Sequence, residues 1–247
     1  MATVDQAPRV LTAEVAAAIL GRFQGLAAES NPFPPAYASQ VFPDPFYRTL
    51  LTMLPGDEIL SATDQRRSSN PYAVNRRKFT ITPNSLARLD EERRAFWTSM
   101  ATFLCGGDFL RAVASVFREG LKQRYGARPL DLVPRLEINV DNENYAIPPH
   151  TDAPVKVGTL LFYLPSDESQ SDLGTSIYVP RDRGFRSEEP IQYPFEKFET
   201  VRTFPFLPNS MFGFIKTDNS FHGRPPVKGE GVRRRIMTLS IQHRPSA

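Results

Sequence analysis

Three side chains suited to binding a metal ion occur in the second half of the sequence: His150, Asp152 and His222. A single residue separates His150 from Asp152, so in an extended segment both project from the same face, with Cα atoms about 6.6 Å apart. His222 follows Asp152 by 70 residues, just past an apolar run at 211–215 that is typical of a strand. Two imidazoles and one carboxylate on one side of an ion leave its other positions open for a chelating cosubstrate and dioxygen.

The His-x-Asp pair by itself is a weak indication of a metal site. A histidine bonded to a nearby carboxylate is common in proteins and needs no metal. The third histidine, His243, is predicted to be a surface residue. The interpretation of His150 and Asp152 as ligands therefore depends on the elements around them.

The first half of the chain predicts helices. Alanines and leucines recur at helical spacing after Thr12, which is a suitable N-cap. A stretch with five prolines, 31–45, predicts an irregular, extended connection. The predicted helices cover 12–29, 46–54, a segment from Ser85 that includes Phe96 and Trp97, and 108–125.

The pattern changes after Pro134, where short apolar or alternating runs are separated by turn-forming residues. This pattern predicts an all-β unit rather than alternating strands and helices. The predicted strands cover 135–140, 157–164, 176–179, 211–215 and 235–241. The predicted α+β architecture is a helical N-terminal region, residues 1–130, packed against a β core, residues 131–247, in one compact domain.

Composition restricts the class of protein. Of the 247 residues, 40% are hydrophobic and 11% aromatic, enough for a substantial core. The net charge of +3 is compatible with an anionic substrate and does not require nucleic acid. Cys105 is the only cysteine, which excludes an internal disulfide and a cysteine-rich zinc site. The N-terminus lacks a basic leader and no segment is apolar enough to span a membrane, so we expect a cytoplasmic protein.

The ordered combination of motifs resembles the Fe(II)/2-oxoglutarate-dependent oxygenase superfamily, in particular its prolyl-hydroxylase-like branch. The family pattern is His-x-Asp, a long gap, a second histidine, and a basic residue about ten positions later on a strand. Here His150, Asp152 and His222 are followed by the arginines of 233–235. The run 158–165 resembles a family strand that ends in Tyr-Leu-Asn, and Gly174-Thr175 resembles a Gly-Gly or Gly-Thr motif. The resemblance covers about residues 135 to 243.

The resemblance implies a double-stranded β-helix (jelly-roll) core and a specific chemistry. Fe(II) would be held by His150, Asp152 and His222, with 2-oxoglutarate and O2 as cosubstrates and with succinate and CO2 released. Asp152 favours hydroxylation, since related halogenases have a small residue at this position. The implied partner is a small-molecule substrate, with no nucleic acid and no membrane.

The resemblance also implies a pocket for the distal carboxylate of 2-oxoglutarate. Arginine suits this role because its guanidinium binds a carboxylate through two parallel hydrogen bonds. Arg234 shares a strand face with Thr238, as family strands commonly place a hydroxyl four residues after the basic one. Arg235 is the alternative, because its face is the more apolar. Thr159 and Tyr163 point together from one strand, and the resemblance implies that Tyr163 donates to the same carboxylate. On the strand before His-x-Asp the family often has a tyrosine, whereas in this chain Asn139 or a neighbour occupies that region.

Two other functions stay open at this point. A zinc hydrolase or cupin-like enzyme can use the same three ligands. A non-catalytic binding module could use the arginines of 233–235 as a phosphate-binding patch. Lys156 is predicted to be a solvated loop residue, with contact to an anionic group at the pocket mouth as the alternative. The charged segment 180–205 is predicted to be a surface loop or a substrate lid.

Overall fold

The computed structural model describes residues 10–29, 32–63, 70, 72–187 and 189–244. Its α-helices are α1 (Ala13–Gln24), α2 (Asp44–Thr52), α3 (Pro83–Leu86), α4 (Glu91–Leu104), α5 (Gly107–Val116) and α6 (Arg118–Tyr125). Its strands are β1 (Pro35–Ser39), β2 (Ser61–Ala62), β3 (Arg76–Thr80), β4 (Leu132–Asn142), β5 (Ile147–His150), β6 (Lys156–Tyr163), β7 (Thr175–Pro180), β8 (Phe198–Phe204), β9 (Ser210–Ile215), β10 (His222–Arg224) and β11 (Arg233–His243).

Local sequence signals set several helix ends. Thr12 caps α1 by accepting a hydrogen bond from the Val15 N–H at 3.3 Å, as predicted. Asp90 caps α4 by accepting from the Arg93 N–H at 2.8 Å. The single helix predicted over 108–125 is wrong, because the chain leaves helical geometry at Phe117, with φ −104° and ψ 19°. The Phe117 side chain is buried in the core, and α5 and α6 lie on either side of it.

The strands form two antiparallel sheets. The large sheet has the order β1-β9-β6-β11-β4-β3-β2, and the small sheet has the order β5-β10-β7-β8. From β4 to β11 the chain alternates between these sheets, except at the hairpin β7–β8, where it stays in the small sheet. This winding of eight strands is the double-stranded β-helix that the sequence predicted.

The large sheet is covered on both faces. The helices pack against one face, where Met237, Leu239 and Ile241 of β11 join Phe162 and Trp97 in a single core cluster. The other face is turned towards the small sheet, and a second cluster there includes Ile236, Phe212 and Ile177. Because both faces of β11 are buried, hydrophobicity cannot by itself identify the face that borders a site.

The N-terminal region contributes strands to the large sheet as well as helices. Its strands β1, β2 and β3 extend the large sheet at both edges, so the sheet crosses the boundary predicted at residue 130. The proline-rich stretch contains β1, which pairs with β9 from Pro35↔Phe214 to Ser39↔Ser210. An edge strand tolerates Pro35 because it need not donate on both sides. The segment 180–205 likewise contains β8.

Within the described ranges, none of the helices combines the length and the apolar composition that crossing a bilayer requires.

Candidate metal centre and anion pocket

His150, Asp152 and His222 meet at one end of the small sheet. His150 ends β5, His222 begins β10, and the two residues are direct cross-strand partners with ring centroids 4.3 Å apart. One ligand atom from each of the three buried residues lies within 4.8 Å of the other two. Since each ligand of a first-row metal lies about 2.0–2.2 Å from the ion, donors at this spacing can share one ion after small side-chain rotations.

Both histidines are held in the tautomer that a metal requires. Nδ1 of His150 lies 2.9 Å from the carbonyl oxygen of Pro148, and Nδ1 of His222 lies 3.0 Å from that of Ser220. A carbonyl can only accept, so each Nδ1 carries the proton and each Nε2 keeps its lone pair. Backbone carbonyls commonly orient metal-binding histidines in this way.

Asp152 is fixed by two donors. Thr159 on β6 donates to Oδ2 at 2.7 Å, and Lys156 donates to Oδ1 at 2.8 Å in an ion pair. Lys156 is therefore not the solvated loop residue that was predicted: it begins β6 and its ammonium lies at the carboxylate. Next to Asp152, the buried Thr151 hydroxyl donates to the Ser187 carbonyl at 2.9 Å, which fixes the ligand-bearing loop.

The electrostatics of the three groups suit cation binding. Burial, reinforced by the neighbouring His222, lowers the pKa of His150 to about 3, and burial also lowers the pKa of His222. Burial opposes ionisation of Asp152, but Lys156 and the two imidazoles outweigh it and hold its pKa below the ordinary value. At neutral pH the site presents two neutral imidazoles and one carboxylate, which is the protonation state that metal binding requires. The residues present therefore fit a divalent metal ion.

Gly223 permits the close approach of the two histidine-bearing strands. A Cβ at this position would lie 2.4 Å from the Ile147 carbonyl oxygen and 3.0 Å from that of Pro148. Any side chain there would push β10 away from β5. Gly174 is constrained in the same way, because a Cβ would lie 1.7 Å from the Phe204 carbonyl oxygen. This contact is the physical reason for glycine in the Gly174-Thr175 motif.

A cavity of about 310 Å³ between the two sheets connects the triad to a group of arginines. The residues that line it include the three candidate ligands, Arg224, Arg234, and Asn139 and Thr238 on neighbouring strands. The predicted pair Asn139 and Thr238 is joined by a hydrogen bond of 3.0 Å from Nδ2 to Oγ1. The structure thus brings these predicted pocket residues to the same cavity as the triad.

Among the three consecutive arginines, Arg234 is the one that points into the cavity. Arg234 is only 2% exposed, and its guanidinium lies over the Phe206 ring, 4.9 Å from the ring centroid. Arg233 instead forms an ion pair with Asp57 on the other side of the sheet. Arg235 lies on the same face of β11 as Arg233 and is only partly buried. The geometry favours Arg234 over Arg235 as the cavity arginine, although the face of Arg235 is the more apolar, because that face packs against the helices.

Arg234 already has protein partners. Its Nη1 donates to Asp141 Oδ2 at 2.8 Å, and its Nε donates to the Leu173 carbonyl at 2.6 Å. Asp141, which is fully buried, also accepts from Arg76 Nη2 at 2.9 Å. Sequence analysis did not identify Asp141 or Arg76. Each is a single charged residue in a strand, and only the pairing of β3, β4 and β11 places them beside Arg234.

Tyr163 is fully buried and its hydroxyl contacts Thr175. Its hydroxyl donates to Thr175 Oγ1 at 2.8 Å and accepts from the Thr175 N–H at 3.2 Å. The Arg234 guanidinium lies 5.5 Å from the centre of the Tyr163 ring. These contacts orient Thr175, which does line the cavity. A direct contact from Tyr163 to 2-oxoglutarate stays a prediction.

Arg224 is a site residue that the sequence analysis missed. It ends β10, two residues after His222, and is 4% exposed. Burial and the nearby Arg234 lower the pKa of Arg224 to about 10, so it is a cation at neutral pH. The period of two along a strand was the available signal, because it places Arg224 on the same face as His222.

Comparisons with known proteins agree with this architecture at the level of the fold. No family model matches the sequence, and no curated protein sequence matches it. Among solved structures, a prolyl-4-hydroxylase from Pseudomonas putida is similar over 93% of this chain and 99% of that chain, with 14% identity and a TM-score of 0.52. SnoK, a non-heme alpha ketoglutarate dependent carbocyclase from nogalamycin biosynthesis, is similar over 96% of this chain and 87% of that chain, with 12% identity and a TM-score of 0.50.

A second enzyme of nogalamycin biosynthesis shows the same likeness. SnoN, a non-heme alpha ketoglutarate dependent epimerase, is similar over 94% of this chain and 84% of that chain, with 12% identity and a TM-score of 0.50. The chain therefore has the double-stranded β-helix fold of the Fe(II)/2-oxoglutarate oxygenases, with prolyl-hydroxylase-like neighbours. This outcome confirms the fold that the sequence predicted.

Proposed function

We propose that this protein is an Fe(II)- and 2-oxoglutarate-dependent oxygenase that hydroxylates a small molecule. The observation that carries the proposal is the convergence of His150, Asp152 and His222, whose ligand atoms lie within 4.8 Å of one another in a cavity that also contains buried arginine. The fold is shared with enzymes that are described as alpha ketoglutarate dependent. The cytoplasmic location and the nature of the substrate stay predictions.

The residues have distinct roles in this proposal. His150, His222 and Asp152 hold Fe(II) through two Nε2 atoms and one carboxylate oxygen. When bound, Fe(II) supplies the activation of O2 that couples conversion of 2-oxoglutarate to succinate and CO2 with insertion of one oxygen atom into a substrate C–H bond. Thr159 and Lys156 hold the orientation and the charge of Asp152. Arg234 attracts the distal carboxylate, and Asn139 and Thr238 supply polar lining.

A zinc hydrolase remains the second candidate, because zinc accepts the same three ligands. The observation that favours the oxygenase is the buried arginine pocket in the same cavity, since hydrolysis needs no partner for the carboxylate of a cosubstrate. The binding-module alternative loses its main support, because Arg233, Arg234 and Arg235 do not form one surface patch: Arg233 pairs with Asp57 while Arg234 is buried between the sheets.

The decisive experiment measures succinate and O2 consumption by the purified protein with Fe(II), 2-oxoglutarate and a panel of small molecules. We expect succinate that depends on Fe(II) and O2 and that increases with a true substrate. Asp152→Ala should abolish it, whereas Arg111→Met, a change on the exposed surface of α5, should retain it. Activity with zinc and no demand for O2 would establish the hydrolase instead. Salt-sensitive nucleic acid binding without affinity for iron or 2-oxoglutarate would establish the binding module.

A further inference from the structure

The cavity is lined by a buried cation, Arg224, that is only partly hydrogen-bonded within the described residues. Nε and Nη1 of Arg224 are fully buried and make no hydrogen bond within the part of the chain that the structure describes. Buried guanidinium groups normally have carboxylate or carbonyl partners, because a charge removed from water without compensation is costly. An unpaired arginine that lines a cavity is therefore a site prepared for an anion.

Neither neighbouring carboxylate supplies that anion. The exposed Asp172 acts on Arg224 through its charge but makes no hydrogen bond to it within the described residues, and the buried Asp141 is engaged by other arginines. Asp141 directs Oδ1 to Arg76 and shares Oδ2 between Arg76 and Arg234. Both of its oxygens are thus engaged by other arginines. Three arginines, Arg76, Arg224 and Arg234, surround one buried carboxylate. Asp141 forms ion pairs with Arg76 and Arg234 but not with Arg224.

Arg224 and Arg234 converge from opposite sheets on the same part of the cavity. In the small sheet Gly223 pairs with Ser176 of β7, so Arg224 comes next to Thr175. The Thr175 hydroxyl lies 3.4 Å from Arg234 Nη2. Both arginines also line the cavity that contains the triad. Thr175 therefore lies beside Arg224 in the strand pairing and within 3.4 Å of Arg234, and the charge of Arg234 acts on Arg224 directly.

The separation of this position from the metal ligands suits a short dicarboxylate. Arg224 is two residues from His222 on the same strand face, so their Cα atoms are about 6.6 Å apart. The terminal carbons of an extended five-carbon diacid are about 5 Å apart, from four C–C bonds of about 1.5 Å. One end of such a molecule can reach the triad while the other lies between the arginines.

We propose that Arg224 is a second anchor for the distal carboxylate of the keto-acid cosubstrate, and that it binds this carboxylate together with Arg234. This inference rests on the proposed function. The incoming carboxylate supplies the missing counter-charge of Arg224, while Asp141 continues to hold Arg234 in place. An anionic group on the primary substrate is the competing occupant, and the convergence of both arginines at Thr175 favours the cosubstrate.

The test compares two ligands that differ only at the distal end. Calorimetric titrations of the anaerobic Fe(II) protein would use 2-oxoglutarate and 2-oxopentanoate, which has a methyl group in place of the distal carboxylate. The wild-type protein should prefer 2-oxoglutarate, and Arg224→Met should reduce that preference about 10-fold or more, as expected for a charged hydrogen bond. Arg224→Lys should keep part of the preference, and Arg111→Met should keep all of it.

Each other outcome has a defined meaning. Unchanged preference in Arg224→Met and Arg224→Lys would overturn the role of Arg224 while leaving the proposed function intact. Equal weakening of both ligands would also overturn it, since the distal carboxylate would then not be what Arg224 senses. Failure of the wild-type protein to bind either keto acid would defeat the proposed function itself, and this inference with it. Thermal unfolding without ligand checks folding: Arg224→Met should unfold at the wild-type temperature or above, because it removes an uncompensated buried charge.

Discussion

His150 and His222 are cross-strand partners whose rings lie 4.3 Å apart, each with its Nδ1 held by the carbonyl oxygen of the residue two positions before it. This symmetric arrangement aims two free Nε2 atoms at the same space. Asp152 closes that space from the loop after β5. The relation between these strands is the structural basis of the proposed metal site, and the predictions below follow from it and from the groups around it.

Removal of a ligand should abolish metal binding. His222→Ala leaves one imidazole and one carboxylate, so we expect the affinity for Fe(II) to fall more than about 100-fold, since the loss of a supporting residue alone costs 10–100-fold. Anaerobic titration with Fe(II) measures it. His243→Ala is the matched control, because His243 lies beside Tyr125 on the far end of β11. Equal affinity of His222→Ala and wild type would remove the basis of the proposed site.

Gly223→Ala should weaken metal binding without touching a ligand. The new methyl group would lie 2.4 Å from the Ile147 carbonyl oxygen, so β10 must move away from β5 and His222 away from His150. We expect at least a 10-fold loss of metal affinity and a lower unfolding temperature. In Gly21→Ala, by contrast, the methyl group meets nothing within 4 Å and lies in α1, so stability should increase by about 0.5–1 kcal/mol. A Gly223→Ala protein with normal metal affinity would contradict this account.

Thr159→Val should show how much the orientation of the Asp152 carboxylate contributes to metal binding, because the carboxylate itself stays in place. Valine keeps the shape of threonine but cannot donate the 2.7 Å hydrogen bond to Oδ2. Because such supporting contacts contribute 10–100-fold to metal affinity, we expect a loss within that range, measured by metal titration. The same change at Thr200, which is exposed on β8, should have no effect. Thr159 would have no orienting role if both variants bound metal as the wild type does.

Asp141→Asn should lower stability in a pH-dependent way. Burial raises the pKa of Asp141, but Arg76 and Arg234 outweigh it, so the folded-state pKa lies below the ordinary 3.8. The carboxylate therefore contributes stability above about pH 4, and this contribution is lost as the pH falls through the lowered folded-state pKa. At pH 7 the variant should be less stable by about 3 kcal/mol or more, as for other broken buried ion pairs. The difference should shrink below pH 4.

Urea unfolding of both proteins at pH 7 and at several values below pH 4 measures this difference. Asp108→Asn, a change at an exposed ion pair on α5, is the control and should change stability by less than about 1 kcal/mol at any of these pH values. A difference between Asp141→Asn and wild type that stays constant down to the lowest pH would show that folding does not lower the pKa of Asp141, contrary to this account.

Much of the fold follows from local patterns. The alternation of apolar residues after Pro134 identified five of the strands that wind through the double-stranded β-helix, to within about three residues at each end. Three strands were missed: β8, which lies in the segment predicted as a loop or lid, and the very short strands β5 and β10. In β5 and β10, three or four residues that include proline or glycine contain no measurable alternation. The break at Phe117 was missed because its aromatic side chain continues the apolar stripe of α5 into α6.

The sequence by itself determined the three metal-ligand candidates, because their residue types and order along the chain are sufficient to indicate them. It also determined which residues of β11 share a face. Only the tertiary structure decided which face borders the cavity, because both faces of the large sheet are buried and the more apolar face of β11 is the one that packs against the helices. It alone revealed the ion pair of Arg234 with Asp141 and, within the residues that the structure describes, the two Arg224 nitrogens without a hydrogen bond. The ion pair joins residues 93 positions apart, a separation that local sequence patterns do not specify.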